Sequence, residues 1–140
     1  EKHTTETTVA NKEAIRLCFE KWTAGTGNFF DLLKEDMVWT ITGSTPYSKT
    51  YYGKKAFIDQ VIDPLNQRLS KKIVPTVRGI YGDADMVIAH WDGVATAKDG
   101  KPYLSSYSWY MQMDKGKIVR VTAFLDGIEF ADIMKRLKAN

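Results

Sequence analysis

The stretch VIAHWDGVATAKDGKPYLSSYSWYMQMDKGKIVRV, residues 87–121, decides the fold. It is rich in β-branched and aromatic residues and is cut twice by turn chemistry, at Asp99-Gly100 and at the glycine of MDKGK. Asp-Gly between two apolar runs is a strong hairpin signal, and Gly116 supplies the positive φ that a second tight turn needs. The pattern predicts β segments over 85–97, 102–113 and 117–126, with another over 72–81. In the segment holding VIAHWDGV, His90 and Asp92 share one face and Trp91 takes the other. Val87, Ala89, Trp91 and Ala95 form the more apolar set, but Met86, Ile88 and Val94 opposite them are apolar too. Alternation therefore leaves two readings open: a solvated His90/Asp92 pair, or a pair aimed inward.

Working outward, Ile15, Cys18, Phe19 and Trp22 recur at helical spacing after Asn11, and Gly25 stands where that helix stops. Asn28 is placed to cap a short helix, FFDLL, followed by a strand at MVWTI (37–41) and loop chemistry over 43–50. Phe57, Val61, Leu65 and Leu69 mark a third helix from about Gly53, which Pro64 should kink or end. A last helix over 127–138 sets Ile128, Ala131, Met134 and Leu137 on one side, with Lys135, Arg136 and Lys138 near its negative end. Helices followed by a run of antiparallel strands indicate an α+β protein. Glu1 to Thr8 read as a flexible N-terminal tail, leaving residues 9–140 as a single domain.

The chain has 140 residues, 44% hydrophobic and 26% charged, which suits one globular domain with a real core. A net charge of +3 with dispersed lysines argues against a nucleic-acid partner, and no apolar run approaches the ~20 residues that span a bilayer. Cys18 stands alone, and His3 and His90 are the two histidines, so neither a disulfide nor a histidine-rich metal site is expected. Cys18 reads as a small core residue. The first residue is not methionine, which fits a processed export leader or trimming; a cytoplasmic location is the favoured expectation.

Four pieces, NKEAIRLCFEKWTAG, DMVWTITGSTPYSKTYYGKKAF, DGKPYLSSYSWYMQMDKGKIVRV and TAFLDGIEFADIM, together span most of Asn11 to Leu137. With their W-x-I-x-G-S-x-P segment and closing F-x-D, they resemble the SnoaL-like, ketosteroid-isomerase-related branch of the nuclear transport factor 2-like superfamily. The resemblance implies a cone: a curved, mainly antiparallel sheet wrapped around N-terminal helices, plus a C-terminal helix, with an apolar pocket at the open end. It implies no cofactor, a small hydrophobic organic ligand and a homodimer.

The resemblance also suggests site residues. Limonene epoxide hydrolases of this superfamily carry an Arg-x-Asp that aligns with His90 and Asp92, and a second aspartate that aligns with Asp126. The SnoaL polyketide cyclases use the aspartate at the Asp126 position in acid–base chemistry. On this reading His90, Asp92 and Asp126 form a catalytic triad in the pocket, with aspartate pKa values raised by burial. Trp22, Trp39, Ile41, Ser105, Tyr107, Trp109 and Phe124 would bind substrate, and Tyr107 would donate to a developing oxyanion. Asp126 is equally suited to cap the helix that starts at Gly127. Trp39 and Ile41 stand where the epoxide hydrolases hold their attacking water, and Thr40 stands near the isomerases' catalytic aspartate. Neither of those two reactions is therefore expected. The chain reads as a cofactor-independent isomerase, cyclase, lyase or hydrolase, with a non-catalytic ligand-binding or protein-interaction module as the alternative.

Overall fold

Three tight turns build most of the sheet in the computed structural model, which describes residues 2–139 and side chains from residue 5 onward. Strand β1 is Leu33–Ile41, β2 Thr50–Tyr52, β3 Leu69–Asp83, β4 Met86–Ala97, β5 Pro102–Asp114 and β6 Lys117–Phe124. The β4–β5 turn closes where the Ala97 N–H donates to the Lys101 carbonyl at 2.9 Å, with Gly100 at φ +88°. At the β5–β6 turn both central residues, Lys115 and Gly116, have positive φ (51° and 79°), the requirement of a type I′ hairpin. The strands lie in the order β2-β1-β6-β5-β4-β3, with β1 and β6 parallel and every other neighbour antiparallel. Register shifts at three places along β3–β4 mark irregularities that bend this long pair, and the sheet curves about the helices.

The helix α1 runs Lys2–Ala24, so the threonine-rich opening is helical from residue 2; Glu1 lies outside the described residues. Its length has a local cause. The Asn11 side-chain amide donates to the Ala84 carbonyl at 3.0 Å, and the Thr8 hydroxyl accepts from the Ala84 N–H at 2.7 Å. Both bonds grip the β3–β4 turn, where Ala84 holds an unusual φ of +54°. Farther along, Ile15 and Phe19 are buried on the same stripe, with Trp22 packed beside them.

A short 3-10 turn, Phe29–Leu32, is capped by Asn28, whose side chain accepts from the Phe30 N–H. Between β2 and β3 the chain forms α2 (Lys54–Phe57), a wider π turn (Ile58–Ile62) and α3 (Asp63–Asn66) without leaving helical φ and ψ. Pro64 has no N–H to give to the preceding turn, and the π turn lies just before it, so the helix changes pitch and does not break there. The short strand β2 lies just beyond the region read as loop.

The final helix α4 (Gly127–Arg136) buries Phe130, Ile133 and Met134, whereas Ile128 is 83% exposed. Met134 and Leu137 of the expected stripe do face the core, while Phe130 and Ile133 take the places expected of Ile128 and Ala131. Arg136 binds Asp99 at 2.6 Å and also Asp132, which ties α4 to the β4–β5 turn.

Replacing Asn11 with Ala leaves the Ala84 carbonyl without its side-chain donor. The expected cost is about 1–2 kcal/mol. It should appear in urea unfolding as a lower midpoint with an unchanged slope.

Candidate functional site

The inner face of the sheet combines small and large side chains so that a hollow remains. On β4 the inward residues around Trp91 are small (Ala89, Gly93, Ala95 and Ala97), while β5 directs Tyr103, Tyr107, Trp109 and Met111 inward. Gly93 suits a close approach: a Cβ there would stand 3.0 Å from Tyr107 Cε1 and 3.1 Å from Trp91 Cζ3, so the rings would have to give by a few tenths of an ångström. The result is a cavity of about 400 Å³ between the sheet and the α2–α3 segment, a volume suited to a drug-sized molecule.

Its walls are mostly rings. Trp91 stacks on Tyr107 at 4.0 Å and 7°, and Trp39 stacks on Phe57 at 4.1 Å and 17°. Trp109 stands between them, edge-on to both Trp39 (5.1 Å) and Trp91 (4.8 Å). Trp22 and Phe29 close the side under α1; Ile58, Val61, Ile62 and Leu65 close the helical side. The indole N–H of Trp22 donates to the Ile73 carbonyl at 3.1 Å and anchors α1 to β3. All four tryptophans of the chain line this one cavity.

Polar groups are few and fall into two sets. Inside, the hydroxyls of Tyr103 and Tyr107 lie 3.4 Å apart, both residues buried. Burial pushes the Tyr103 phenol far above its ordinary range, and the neighbouring tyrosine and the charges of Glu129 and Asp126 push the same way. Burial likewise raises Tyr107, partly offset by hydrogen bonding with Tyr103 and Ser105. Both phenols are neutral hydrogen-bond donors at ordinary pH. At the rim, Asn28, Asp63, Asn66 and Lys72 border the opening. The indole N–H of Trp91 is buried without an oxygen or nitrogen partner. Among the described residues, no group of three His, Cys, Asp or Glu side chains is placed to hold a metal ion.

The proposed triad is not assembled. Trp91 pairs directly with Tyr107, so those two share the inner face, and His90 and Asp92, opposite Ser108 and Ser106, take the outer one. His90 is exposed. Asp92 accepts from the Ser106 hydroxyl at 2.7 Å and from Arg78 Nε at 2.8 Å. These bonds hold its carboxyl below the usual range, opposite to the expected rise. Phe124, expected to bind substrate, is also on the outer face; it is 47% exposed and packs edge-on to Tyr110 at 5.6 Å. Asp126 is the exposed N-cap of α4, accepting from the Glu129 N–H at 3.2 Å. Its own N–H donates to the Ser105 hydroxyl at 3.1 Å, so Ser105 is a buried brace behind the tyrosines and not a lining group.

Of the expected binding residues, Trp22, Trp39, Ile41, Tyr107 and Trp109 line the cavity. Tyr103, Phe57 and Phe29 line it too and were not singled out. Tyr103 lies four residues before Tyr107 on the same strand face, and Phe57 belonged to a recognised helical stripe. Cys18 is half-buried beneath Phe29, and burial pushes its thiol up to about 11, away from a nucleophile's range.

No protein-family model matches the chain, and no curated protein matches its sequence. Solved structures do match its shape. A nuclear transport factor 2-like protein of unknown function from Burkholderia pseudomallei K96243 superposes with a TM-score of 0.72 at 14% identity, covering 89% of this chain and 97% of that one. A structure named as a SnoaL-like polyketide cyclase, from Jannaschia sp. CCS1, gives 0.71 at 11% identity over 93% and 94%. One named as an isomerase, from Bacillus subtilis, gives 0.66 at 22% identity over 99% and 97%. The chain therefore has the nuclear transport factor 2-like cone fold, as the sequence resemblance implied.

The two buried phenols make alkaline behaviour a direct check. An unfolded tyrosine ionises near pH ~10, whereas Tyr103 and Tyr107 stay protonated in the fold. Their contribution to stability is complete below that pH and is lost as pH rises above it, because the unfolded chain then releases protons that the fold retains. In an ultraviolet titration, fewer than the seven tyrosines should ionise before alkaline unfolding. Tyr103→Phe/Tyr107→Phe should remove two of the late-titrating groups, leaving Tyr51, which burial also raises.

Proposed function

We propose that this protein binds a small ring-containing organic molecule in the aromatic cavity, with an oxygen of the ligand accepting from Tyr103 and Tyr107. The observation that carries this reading is the pairing of an apolar, ring-walled hollow with two neutral phenols on one wall. Stacked and edge-on rings favour flat, apolar ligands. A carbonyl oxygen satisfies the phenols without having to compete against water, which makes each such bond worth more than on the surface.

The same arrangement polarises a bound carbonyl, the electrostatic part of enolisation or ring-closure chemistry. Isomerase and cyclase names among proteins of like fold agree with that chemistry. The base that such chemistry needs is less evident. Asp63 at the rim is the carboxylate that lines the cavity, while Asp92 is on the far side of the sheet and Asp126 caps a helix. Ligand binding is therefore the first function of the cavity, and carbonyl polarisation the second.

Because every tryptophan lines the cavity, intrinsic fluorescence reports its occupancy. A panel of one- to three-ring ketones, lactones and quinones should shift or quench the emission. Fluorenone should bind about fivefold more tightly than fluorene, the preference worth one ordinary hydrogen bond. Tyr103→Phe/Tyr107→Phe should abolish that preference. Ala123→Phe, which projects a ring into the cavity, should weaken all members of the panel while circular dichroism stays native. His90→Ala and Asp92→Asn should change nothing in binding. Emission indifferent to the whole panel would overturn the reading.

A further inference from the structure

Building on that binding site, we infer that its ligand carries an acidic group, held outside the ring-walled cavity by Lys72 and Lys98. The inference rests on the proposed cavity site. The cavity shares Asp63, Asn66 and Lys72 with an adjoining polar cleft of about 390 Å³, completed by Gln67, Leu69 and Lys98. A molecule that enters the cavity thus passes directly from an apolar chamber into a polar shelf.

The charges on that shelf are unbalanced. The Lys72 ammonium donates to the Asn66 carbonyl at 3.0 Å, and among the described residues neither Lys72 nor Lys98 pairs with a carboxylate. One carbonyl leaves the ammonium's charge and two of its three donors free. Lys98 is brought alongside by β-sheet geometry: its N–H donates to the Arg68 carbonyl at 2.9 Å, just past the Leu69–Ala97 pair. Arg68 itself is buried, and its guanidinium donates to two carbonyls, Leu137 and Pro64, each at 2.8 Å, and among the described residues to no carboxylate.

Nearby carboxylates are already engaged. Asp99 takes Arg136, and Asp132 takes Arg136 and Lys101. Asp63, on the shelf itself, has its charge felt by Lys55 about two helical turns earlier. Two lysines therefore share the shelf with one carboxylate, in a chain whose overall excess is only +3. A ring system inside and a carboxylate or sulfonate outside would satisfy both halves at once. The ligand class is thus an amphiphilic aromatic or alicyclic acid.

Two fluorescent probes of one skeleton test this: anilinonaphthalene sulfonate, which bears the acid, and phenylnaphthylamine, which lacks it. Energy transfer from the cavity tryptophans reports binding of each. The acid should bind about tenfold more tightly, as expected for a charge-assisted contact. Added salt should shrink that advantage, and Lys72→Gln/Lys98→Gln should remove it, so that the variant binds the two probes equally. Equal affinity for the two probes, or an acid preference that survives in the lysine variant, would overturn the anionic subsite and leave the cavity reading standing. Failure of both probes to bind in wild type, with Ala123→Phe unchanged from it, would remove the cavity reading and this inference together.

Discussion

The register between β4 and β5 is the constraint on which the rest of the molecule depends. Residues Ala97 and Lys101 close the turn around Asp99-Gly100, and from there the pairing runs unshifted from Thr96–Pro102 to Met86–Gln112. Because directly opposed residues share a face, this one turn puts Trp91 beside Tyr107 and Ala89 beside Trp109. A slip of one residue would exchange every inward and outward side chain of β4 relative to β5. It would expose Trp91 and bury His90 and Asp92 without partners, at the full cost of desolvating a charge. The turn is held from outside as well, since Asp99 binds Arg136 of α4.

How much was legible follows from this. The hairpins at Asp99-Gly100 and Gly116, the Asn28 cap and the Phe57–Val61–Leu65 stripe depend on local chemistry, and each was visible in the sequence. The inner face of β4 was not fixed by its own alternation, and it follows only from the pairing with β5. A short loop at Asp99-Gly100 sets His90 against Ser108, so His90 and Asp92 could not share the interior with Ser105, Tyr107 and Trp109. Alignment to relatives transfers a position along the chain; it does not transfer the direction in which a side chain points. Asp126 illustrates the same limit, because its role as a cap depends on the path the chain takes after β6. The bends in β3–β4, the three-residue strand β2 and the rim of Asn66, Lys72 and Lys98 arise from long-range packing and leave no periodic trace.

The cavity itself has an energetic logic. A hollow of this size forfeits dispersion contacts along its whole lining and would ordinarily tend to collapse. Here collapse is resisted by rings braced against one another: Trp39 on Phe57, Trp91 on Tyr107, and Trp109 wedged between the two stacks. Each contact is worth only ~1 kcal/mol, but moving one ring requires moving its neighbours. Aliphatic side chains would have repacked more readily. The choice of aromatics thus keeps the space open as well as making it apolar.

The polar groups fit the same view. Tyr103 and Tyr107 sit at 3.4 Å, long for a hydroxyl–hydroxyl bond, so neither phenol is fully satisfied by the other. The Trp91 indole, packed among the rings of Trp22, Tyr107 and Trp109, buries its N–H without an oxygen or nitrogen partner. Under-used donors in an apolar chamber are a standing cost to the free protein. A ligand oxygen that reaches the tyrosines recovers part of that cost, and its rings restore the missing dispersion contacts along the wall. Binding would then stabilise the fold by mass action, growing with the logarithm of ligand concentration over Kd. The features that leave the empty cone less stable are therefore the ones that would give a ligand its affinity.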